Sequence, residues 1–299
     1  MTFLAWLAVF TLVAAPAPAF DFTPFWKHWG DGQAEISTYK LVTPRYGEKR
    51  EGQAVLIYVT EDMSDTLRVK ADPGKHPPSD VFPALKLNHV RSFQAGIYDY
   101  RVMTSTFVRV AQGFPVAKVS FTSQEWCGQL YHQLLPRGGS IESVSHSYFD
   151  GEGDAATKLP MMPGGVMEDQ LWILLRNLLD NAPPAGSRTV PLLPSLWSAR
   201  SRHVPLAWTT ATIVSSASTS AVKTAAGSFT VRTSTVKIEG GRTLTFDIEA
   251  AGAHRIIRWR STDGESGDLI ASKRLPYWKL NANVGEAELK GLGLKPVAR

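Results

Sequence analysis

Alternating apolar and polar positions run through the first half of the chain and predict β-strands. Strand-like stretches lie at residues 53–59, 98–110, 116–126 and 140–149. The first of these stretches is apolar on both faces. Its members are Val55, Ile57 and Val59 on one face and Ala54, Leu56 and Tyr58 on the other. A strand of this kind is covered on both sides, so we expect it in the middle of a sheet.

The second half repeats the pattern, with strand-like stretches at 206–214, 227–238, 242–249 and 254–261. Two turn-forming pairs lie between neighbouring stretches, and they are Gly240-Gly241 and Asp263-Gly264. Short turns of this composition join antiparallel strands. The second half is therefore predicted to be a set of hairpin-connected antiparallel strands.

One long helix is predicted at residues 166–180, where apolar side chains nearly surround the helix axis. Glu168 and Asp169 fall in its first turn, where the helix dipole favours anions. A helix that is apolar all round is buried, so we expect this one against the concave face of the sheet. The proline-rich residues 181–186 end it.

Two further helices are predicted, and one segment is expected to lack order. A short helix starts at Thr23-Pro24, with proline at its first position, and stops at Gly30. A second helix is predicted at 83–92, and the polar run at 215–224 is expected to be disordered.

These elements together predict a mainly β protein. Its long antiparallel curved sheet, or partial barrel, wraps around one buried hydrophobic helix. The β-rich domain covers residues 20–299, and the segment 150–165, rich in Gly, Pro and Asp, could divide it into halves at 20–160 and 161–299. The strands of the two halves could equally join one sheet.

The first nineteen residues are apolar and end in the small-x-small triplet Ala17-Pro18-Ala19, which is typical of a secretory signal peptide. We expect cleavage after Ala19 and export to the periplasm or outer envelope of a bacterium. No later segment is long and apolar enough to predict a membrane span. With a single cysteine, the exported chain can form no internal disulfide, so its stability must come from its core.

The net charge of +5 is scattered along the chain, without the basic run expected of a nucleic-acid-binding arm. Nucleic acid is therefore not expected as a partner. A weak attraction to an anionic envelope surface is the more sensible consequence of the charge.

Four segments of the second half carry a family resemblance. They read DQLWILLRNL (169–178), RTVPLL (188–193), KTAAGSFTV (223–231) and IIRWRSTDGESGDLIASKRLPYW (256–278). They resemble an exported bacterial β-protein family of unknown function, similar in fold to the lipoprotein-carrier (localisation factor) proteins. The resemblance implies a curved sheet with an apolar interior, and it implies no catalytic residues.

The one candidate catalytic set surrounds Cys127, with Glu125 before it and His132 after it. A cysteine nucleophile needs a base within hydrogen-bond reach and a lowered pKa. At a spacing of five, Cys127 and His132 point to opposite faces of a strand, and they lie about 140° apart on a helix. We therefore predict that Cys127 is a small buried residue of a strand, and a catalytic thiol is the alternative.

Apolar residues on both strand faces favour a non-enzymatic envelope protein that holds a lipid, an acyl chain or a partner segment inside the curved sheet. The residues predicted to line this interior are Trp126, Tyr131, Trp172, Leu175 and Phe229. The alternative is an envelope hydrolase, either cysteine-dependent or acting on polysaccharide. No cofactor is predicted, and no metal site either, because no two of the seven histidines have i, i+2 or i, i+4 spacing.

Overall fold

The computed structural model describes residues 21–178 and 185–296. Within these ranges it contains fifteen β-strands, four short α-helices and four 3₁₀ segments. The first eight strands are β1 (Ala34–Arg45), β2 (Glu48–Ser64), β3 (Val81–Ala95), β4 (Tyr98–Arg109), β5 (Val116–Glu125), β6 (Gly128–Arg137), β7 (Ser140–Ser147) and β8 (Ala155–Pro160). The other seven are β9 (Val166–Met167), β10 (Gly186–Leu193), β11 (Thr209–Thr224), β12 (Gly227–Ile238), β13 (Thr243–Glu249), β14 (Ile256–Ser261) and β15 (Ser266–Leu275). The α-helices are α1 (Thr23–Trp29), α2 (Leu171–Leu174), α3 (Leu196–Ser201) and α4 (Ala287–Gly291), and the 3₁₀ segments are Pro78–Asp80, Glu168–Gln170, Tyr277–Lys279 and Asn283–Glu286.

All these strands form one sheet in the order β8-β7-β6-β5-β4-β3-β2-β1-β15-β14-β13-β12-β11-β10-β9. Strands that follow one another in the chain pair antiparallel from β1 through β8 and from β10 through β15, and antiparallel pairing of β1 with β15 joins the two series. Only β9 is parallel to its neighbour, β10. The predicted fold class, a long antiparallel curved sheet, is confirmed; the sheet is not closed, and β8 and β9 are its edges.

A single large core lies on the concave face and draws side chains from nearly every strand. Leu56 of β2, Phe121 of β5, Phe246 of β13 and Trp259 of β14 all belong to it and are almost fully buried. The opposite face of β2 is also covered, because Val55, Ile57 and Val59 pack in a second cluster with Leu292 of the C-terminal segment. The prediction that this strand is buried on both faces is confirmed.

The long helix predicted at 166–180 is wrong in extent, although its burial is confirmed. The chain there forms strand β9, a 3₁₀ turn and only one turn of helix, α2; residues 179–180 lie outside the described part. The buried polar side chains of this segment explain why the helix is short, because each of them is held by a different part of the structure. Glu168 accepts a hydrogen bond from the Ser195 amide, and Arg176 reaches Glu35 of β1 at 2.8 Å.

Of the other predicted elements, the helix from Thr23 is confirmed, with Phe25 and Trp29 buried. The helix predicted at 83–92 is wrong, because these residues belong to β3; His89 and Arg91 point into the core, which obscures the alternation in the sequence. The expected disorder at 215–224 is also wrong, since β11 includes this run.

The predicted signal peptide, residues 1–19, lies outside the described residues. In the part of the chain that the structure describes, no helix has the length and apolar character needed to cross a membrane.

Candidate functional site

A cavity of about 290 Å³ opens at one end of the curved sheet, where several hairpin turns meet helix α3. The turn between β1 and β2 and the turn between β14 and β15 both contribute to its lining. Its lining combines arginines, acids and aromatic rings: Arg45, Arg91, Arg202, Arg242, Glu168, Asp263, Glu265, Tyr46, Trp172 and Trp197. The cavity is therefore lined by charged groups, although the interior around it is apolar.

Two carboxylates hold the wall of this cavity together. Glu168, 3% exposed, accepts hydrogen bonds from Arg242 and from the Ser195 amide. Glu265 accepts from the Trp197 indole at 3.1 Å and from Arg91 at 3.4 Å. Because their oxygens already accept these hydrogen bonds, the two carboxylates serve to hold the protein together and not to bind a ligand.

The arginines, in contrast, keep hydrogen-bonding capacity. Arg91 is only 5% exposed, and its Nε has no hydrogen-bond partner among the described residues. The Ser261 hydroxyl, which also lines the cavity, is buried and unpartnered in the same sense. Arg45 and Arg202 donate mainly to uncharged oxygens, such as the carbonyls of Ser201 and Ser198. Arg91 is paired with Glu265, but Arg45 and Arg202 have no carboxylate partner among the described residues. These two cations and the free Nε of Arg91 make the cavity attractive to an anion.

Aromatic rings form the floor of the cavity. Trp172 packs against Trp259 with ring centroids 5.1 Å apart and against His89 at 4.4 Å. Burial and the neighbouring Arg91 hold the pKa of His89 well below its usual range, so this imidazole is neutral. The floor is therefore apolar in character, although an arginine lies beside it.

Asp169 lies directly behind this lining and is buried as well. Its carboxylate accepts a hydrogen bond from the Leu196 amide at the start of α3. Burial raises the pKa of Asp169 to about 7, and the neighbouring Glu168 adds to this rise, although the hydrogen bond opposes it. Near neutral pH this side chain is thus close to the midpoint of its titration.

The predicted catalytic set is not assembled. Trp126 and Cys127 form the turn between β5 and β6, and the prediction that Cys127 is buried in a strand is wrong, because it is exposed. The carboxylate of Glu125, which accepts from the Cys127 amide, raises the pKa of Cys127, the opposite of what a nucleophile needs. His132 lies four residues along β6 from Gly128, about 13 Å for an extended chain.

His132 does form a hydrogen bond to a serine, with 2.8 Å between its Nε2 and the Ser143 hydroxyl. Arg200 Nε, however, donates to its Nδ1 at 3.2 Å. Since arginine can only donate, Nδ1 is the acceptor and Nε2 carries the proton. Burial and Arg200 also lower the pKa of His132 to about 4. This imidazole therefore donates to Ser143 and cannot act as the base of a serine nucleophile.

The five residues predicted to line the interior are separated by the structure. Trp172 and Leu175 are in the core, and Phe229 is half-buried against it. The prediction is wrong for Trp126, which is 69% exposed because it occupies a turn. It is also wrong for Tyr131, which points to the outer face, since its neighbours Leu130 and His132 point inward.

Sequence reasoning missed the charged lining of the cavity, above all Arg91, Glu168 and Glu265. One signal could have found Arg91: it lies at the inward parity of β3, in line with Leu85, Leu87 and His89. The sequence places Glu168 in the first turn of a longer helix, where it interacts with the helix dipole and does not line a cavity. Nothing in the sequence around Glu265, a turn residue after Asp263-Gly264, predicts that it faces a cavity.

No group of three or more His, Cys, Asp or Glu residues that could hold a metal ion occurs within residues 21–178 and 185–296.

No protein-family model matches the chain, and no curated protein matches it. One similar solved structure is a β-barrel-like protein of the domain of unknown function DUF1849 from Brucella abortus. It has 11% identity and a TM-score of 0.49, covering 81% of this chain and 98% of that one. Another is a candidate exported protein with a YmcC-like fold from Bacteroides fragilis, with 13% identity and a TM-score of 0.21, covering 80% and 95% of the two chains.

These neighbours are bacterial proteins, and the first is β-barrel-like and of unknown function, as the family resemblance in the sequence implied. Neither is described as a lipoprotein carrier, so the likeness to that fold stays a prediction. With TM-scores below 0.5, we draw no functional argument from them.

Proposed function

We propose that this protein is an exported, non-enzymatic binding protein whose cavity at the end of the sheet takes a small amphipathic anion. The observation that supports this proposal concerns Arg91, a buried cation in the cavity wall. Its Nε has no hydrogen-bond partner among the described residues. An unpaired buried donor is costly unless a ligand satisfies it. A carboxylate or phosphate group would do so, and Trp172 and Trp197 would contact its apolar part.

The size of the cavity limits the ligand. Pockets for small molecules usually measure about 300–1,000 Å³, so 290 Å³ suits a short acyl or aromatic anion rather than a whole lipid or a partner segment. The apolar interior that the sequence suggested for a lipid is occupied by the protein's own side chains, including Trp172 and Leu175. We accordingly narrow the lipid proposal to the head and first carbons of an acyl chain, or to a molecule of that size.

Export to a bacterial envelope is part of the same proposal. It is supported by the apolar leader-like residues 1–19, with their small-x-small end at Ala17-Pro18-Ala19. The separation of Cys127 from His132 supports a binding role over the cysteine-dependent form of the hydrolase alternative.

Native mass spectrometry of the protein, purified from the envelope fraction of its own organism, tests export and ligand together. We expect a polypeptide that lacks residues 1–19 and a bound molecule of low mass that is lost on denaturation. An uncleaved chain contradicts export. A bound phospholipid, or a chain with no ligand, contradicts the small-anion proposal.

The role of Arg91 is tested with carboxylates of graded chain length, from butyrate to palmitate, followed by tryptophan fluorescence. We expect the shorter acids to bind, and Arg91→Lys to weaken them by about tenfold, because it keeps the charge but loses the Nε donor. Arg188→Lys, on the exposed part of β10, is the matched control and should bind as the wild type does. Equal affinity of all three proteins would exclude this cavity as the anion site.

A further inference from the structure

The outer face of the sheet carries a second concavity, of about 650 Å³, which lies across strands β3 to β7. It is separate from the interior cavity because alternate side chains of a strand point to opposite faces. On β4, for example, Val102 is in the core while Arg101 and Met103 face outward. Tyr131, which the sequence analysis had assigned to the interior, lines this outer groove.

Strand register arranges the groove in two neighbouring rows that run across the strands. One row is polar and consists of Ser92, Arg101, Gln124 and Gln129, which are direct cross-strand partners in that order. The other is more apolar and consists of Val90, Met103, Thr122, Tyr131 and His146, again paired in order. At about 4.8 Å per strand, five strands make a groove roughly 19 Å long. Its length suits an extended oligomer.

The two glutamines of the polar row are not used by the protein itself. Among the described residues, the side chains of Gln124 and Gln129 make no hydrogen bond, and both are exposed. Each amide offers two donors and one oxygen acceptor, so the pair presents both kinds of group side by side. Such a surface fits a ligand that also carries donors and acceptors at short intervals.

Arg101 and His146, the two basic side chains of the groove, each contact a carboxylate. Arg101 contacts Asp99 at 2.8 Å, and His146 contacts Asp154 at 3.1 Å. Between these pairs the groove presents amides, a hydroxyl, a thioether and one aromatic ring. The groove therefore lacks the excess of one charge that would select a charged polymer such as a nucleic acid.

We propose that this groove binds a neutral oligosaccharide, a few sugar units long, laid across strands β3 to β7. Sugar hydroxyls both donate and accept, which matches the amide row, and the C–H faces of the rings match Tyr131 and Met103. A tyrosine serves this purpose because it combines an apolar ring with a polar end. The site is independent of the interior anion cavity, so either proposal can fail alone.

The test is titration of the full-length mature protein with cellotetraose, maltotetraose and chitotetraose, followed by calorimetry and by NMR of the glutamine side-chain amides. We expect at least one tetrasaccharide to bind and to shift the amide signals of Gln124 and Gln129. The double variant Gln124→Ala/Gln129→Ala should bind about tenfold or more weakly, the effect of losing two hydrogen-bonding side chains. Gln94→Ala, at an exposed position of β3 outside the groove, is the matched control.

Three results would overturn the proposal. The first is that none of the three tetrasaccharides binds more tightly than ~1 mM. The second is that the double variant, with an unchanged melting temperature, binds as tightly as the wild type, while the Gln124 and Gln129 amide signals of the wild type do not shift on binding. The third is that tetra-alanine or tetragalacturonate binds as well as the best neutral sugar, which would indicate a peptide or a charged polymer instead.

Discussion

At the scale of single residues, the sequence shows which side chains could carry chemistry, but it does not show which of them face the interior of the sheet and which face solvent. The strand pattern at 116–126 runs up to Cys127 and predicts this residue in a strand, yet the strand stops at Glu125 and the next one begins at Gly128. No glycine-asparagine or glycine-aspartate pair announces this two-residue turn. Without a turn signal, the sequence pattern predicts Trp126 in the core, whereas the turn leaves this side chain exposed.

The chemistry of Cys127 depends on one neighbour. Glu125 accepts a hydrogen bond from the Cys127 amide at 2.7 Å, and its carboxylate also raises the pKa of the thiol. A nearby negative charge disfavours the thiolate, so the reactive form is scarce at neutral pH. We predict that the exposed thiol reacts slowly with a disulfide reagent in the native protein, with a pH midpoint above that of free cysteine.

Replacement Glu125→Gln removes that charge, so the pH midpoint of the reaction should fall and the rate at pH 7.5 should rise. The measurement is the rate of the chromogenic disulfide reaction between pH 6 and pH 10. Glu142→Gln on β7, whose carboxylate has no role at the thiol, serves as the control. A rate that is unchanged or slower in Glu125→Gln would show that Glu125 does not govern the thiol.

At the scale of elements, strands were predicted well and the interior segment was not. The side chains of a strand alternate with a period of two. A half-buried strand such as β13 is therefore recognisable from its sequence, by Leu244, Phe246 and Ile248. The segment 166–178 has a central apolar run at residues 171–175, and such a run does not distinguish a helix from a buried irregular chain. What decides its shape is tertiary: Arg176 is fully buried and is held by Glu35 and two backbone carbonyls.

This anchor leads to a prediction about stability. The pair formed by Glu35 and Arg176 is excluded from solvent, with side chains 3% and 0% exposed, and Arg176 also lies 4.2 Å from the ring of Tyr58. Glu35→Gln leaves a buried arginine without its counter-charge, which typically costs about 3–5 kcal/mol. We expect a loss of that order in the free energy of unfolding, measured with urea.

The matched control is Glu51→Gln on the neighbouring strand β2. Glu51 pairs with Lys40 at 3.2 Å, but both side chains are mostly exposed. An exposed ion pair contributes about 0–1 kcal/mol, so this variant should unfold close to the wild type. Equal losses in the two variants would mean that the interior segment is not held by the Glu35–Arg176 pair.

At the scale of the whole molecule, the sequence predicted a curved antiparallel sheet but not how its two halves join. The junction is the pairing of β1 with β15, including the hydrogen bond between Ser37 and Ser272. These residues are far apart in the chain, and both strands alternate as many others do. Register between such strands is set by packing on the shared face, which is not readable from either strand alone.

That junction predicts a single cooperative unfolding of the strands on both of its sides. Side chains from β2 and from β13 enter the same core, around the buried residues Trp172 and Ile173. Removing either series of strands would expose that shared surface to water, so neither should persist without the other. Hydrogen exchange at increasing guanidinium concentration, read by mass spectrometry, measures this: peptides from residues 54–58 and 244–248 should converge on one free energy of opening. Separate opening of the peptides at 244–248, well below the denaturant concentration that opens 54–58, would instead show that the β1–β15 pairing joins two units that fold independently.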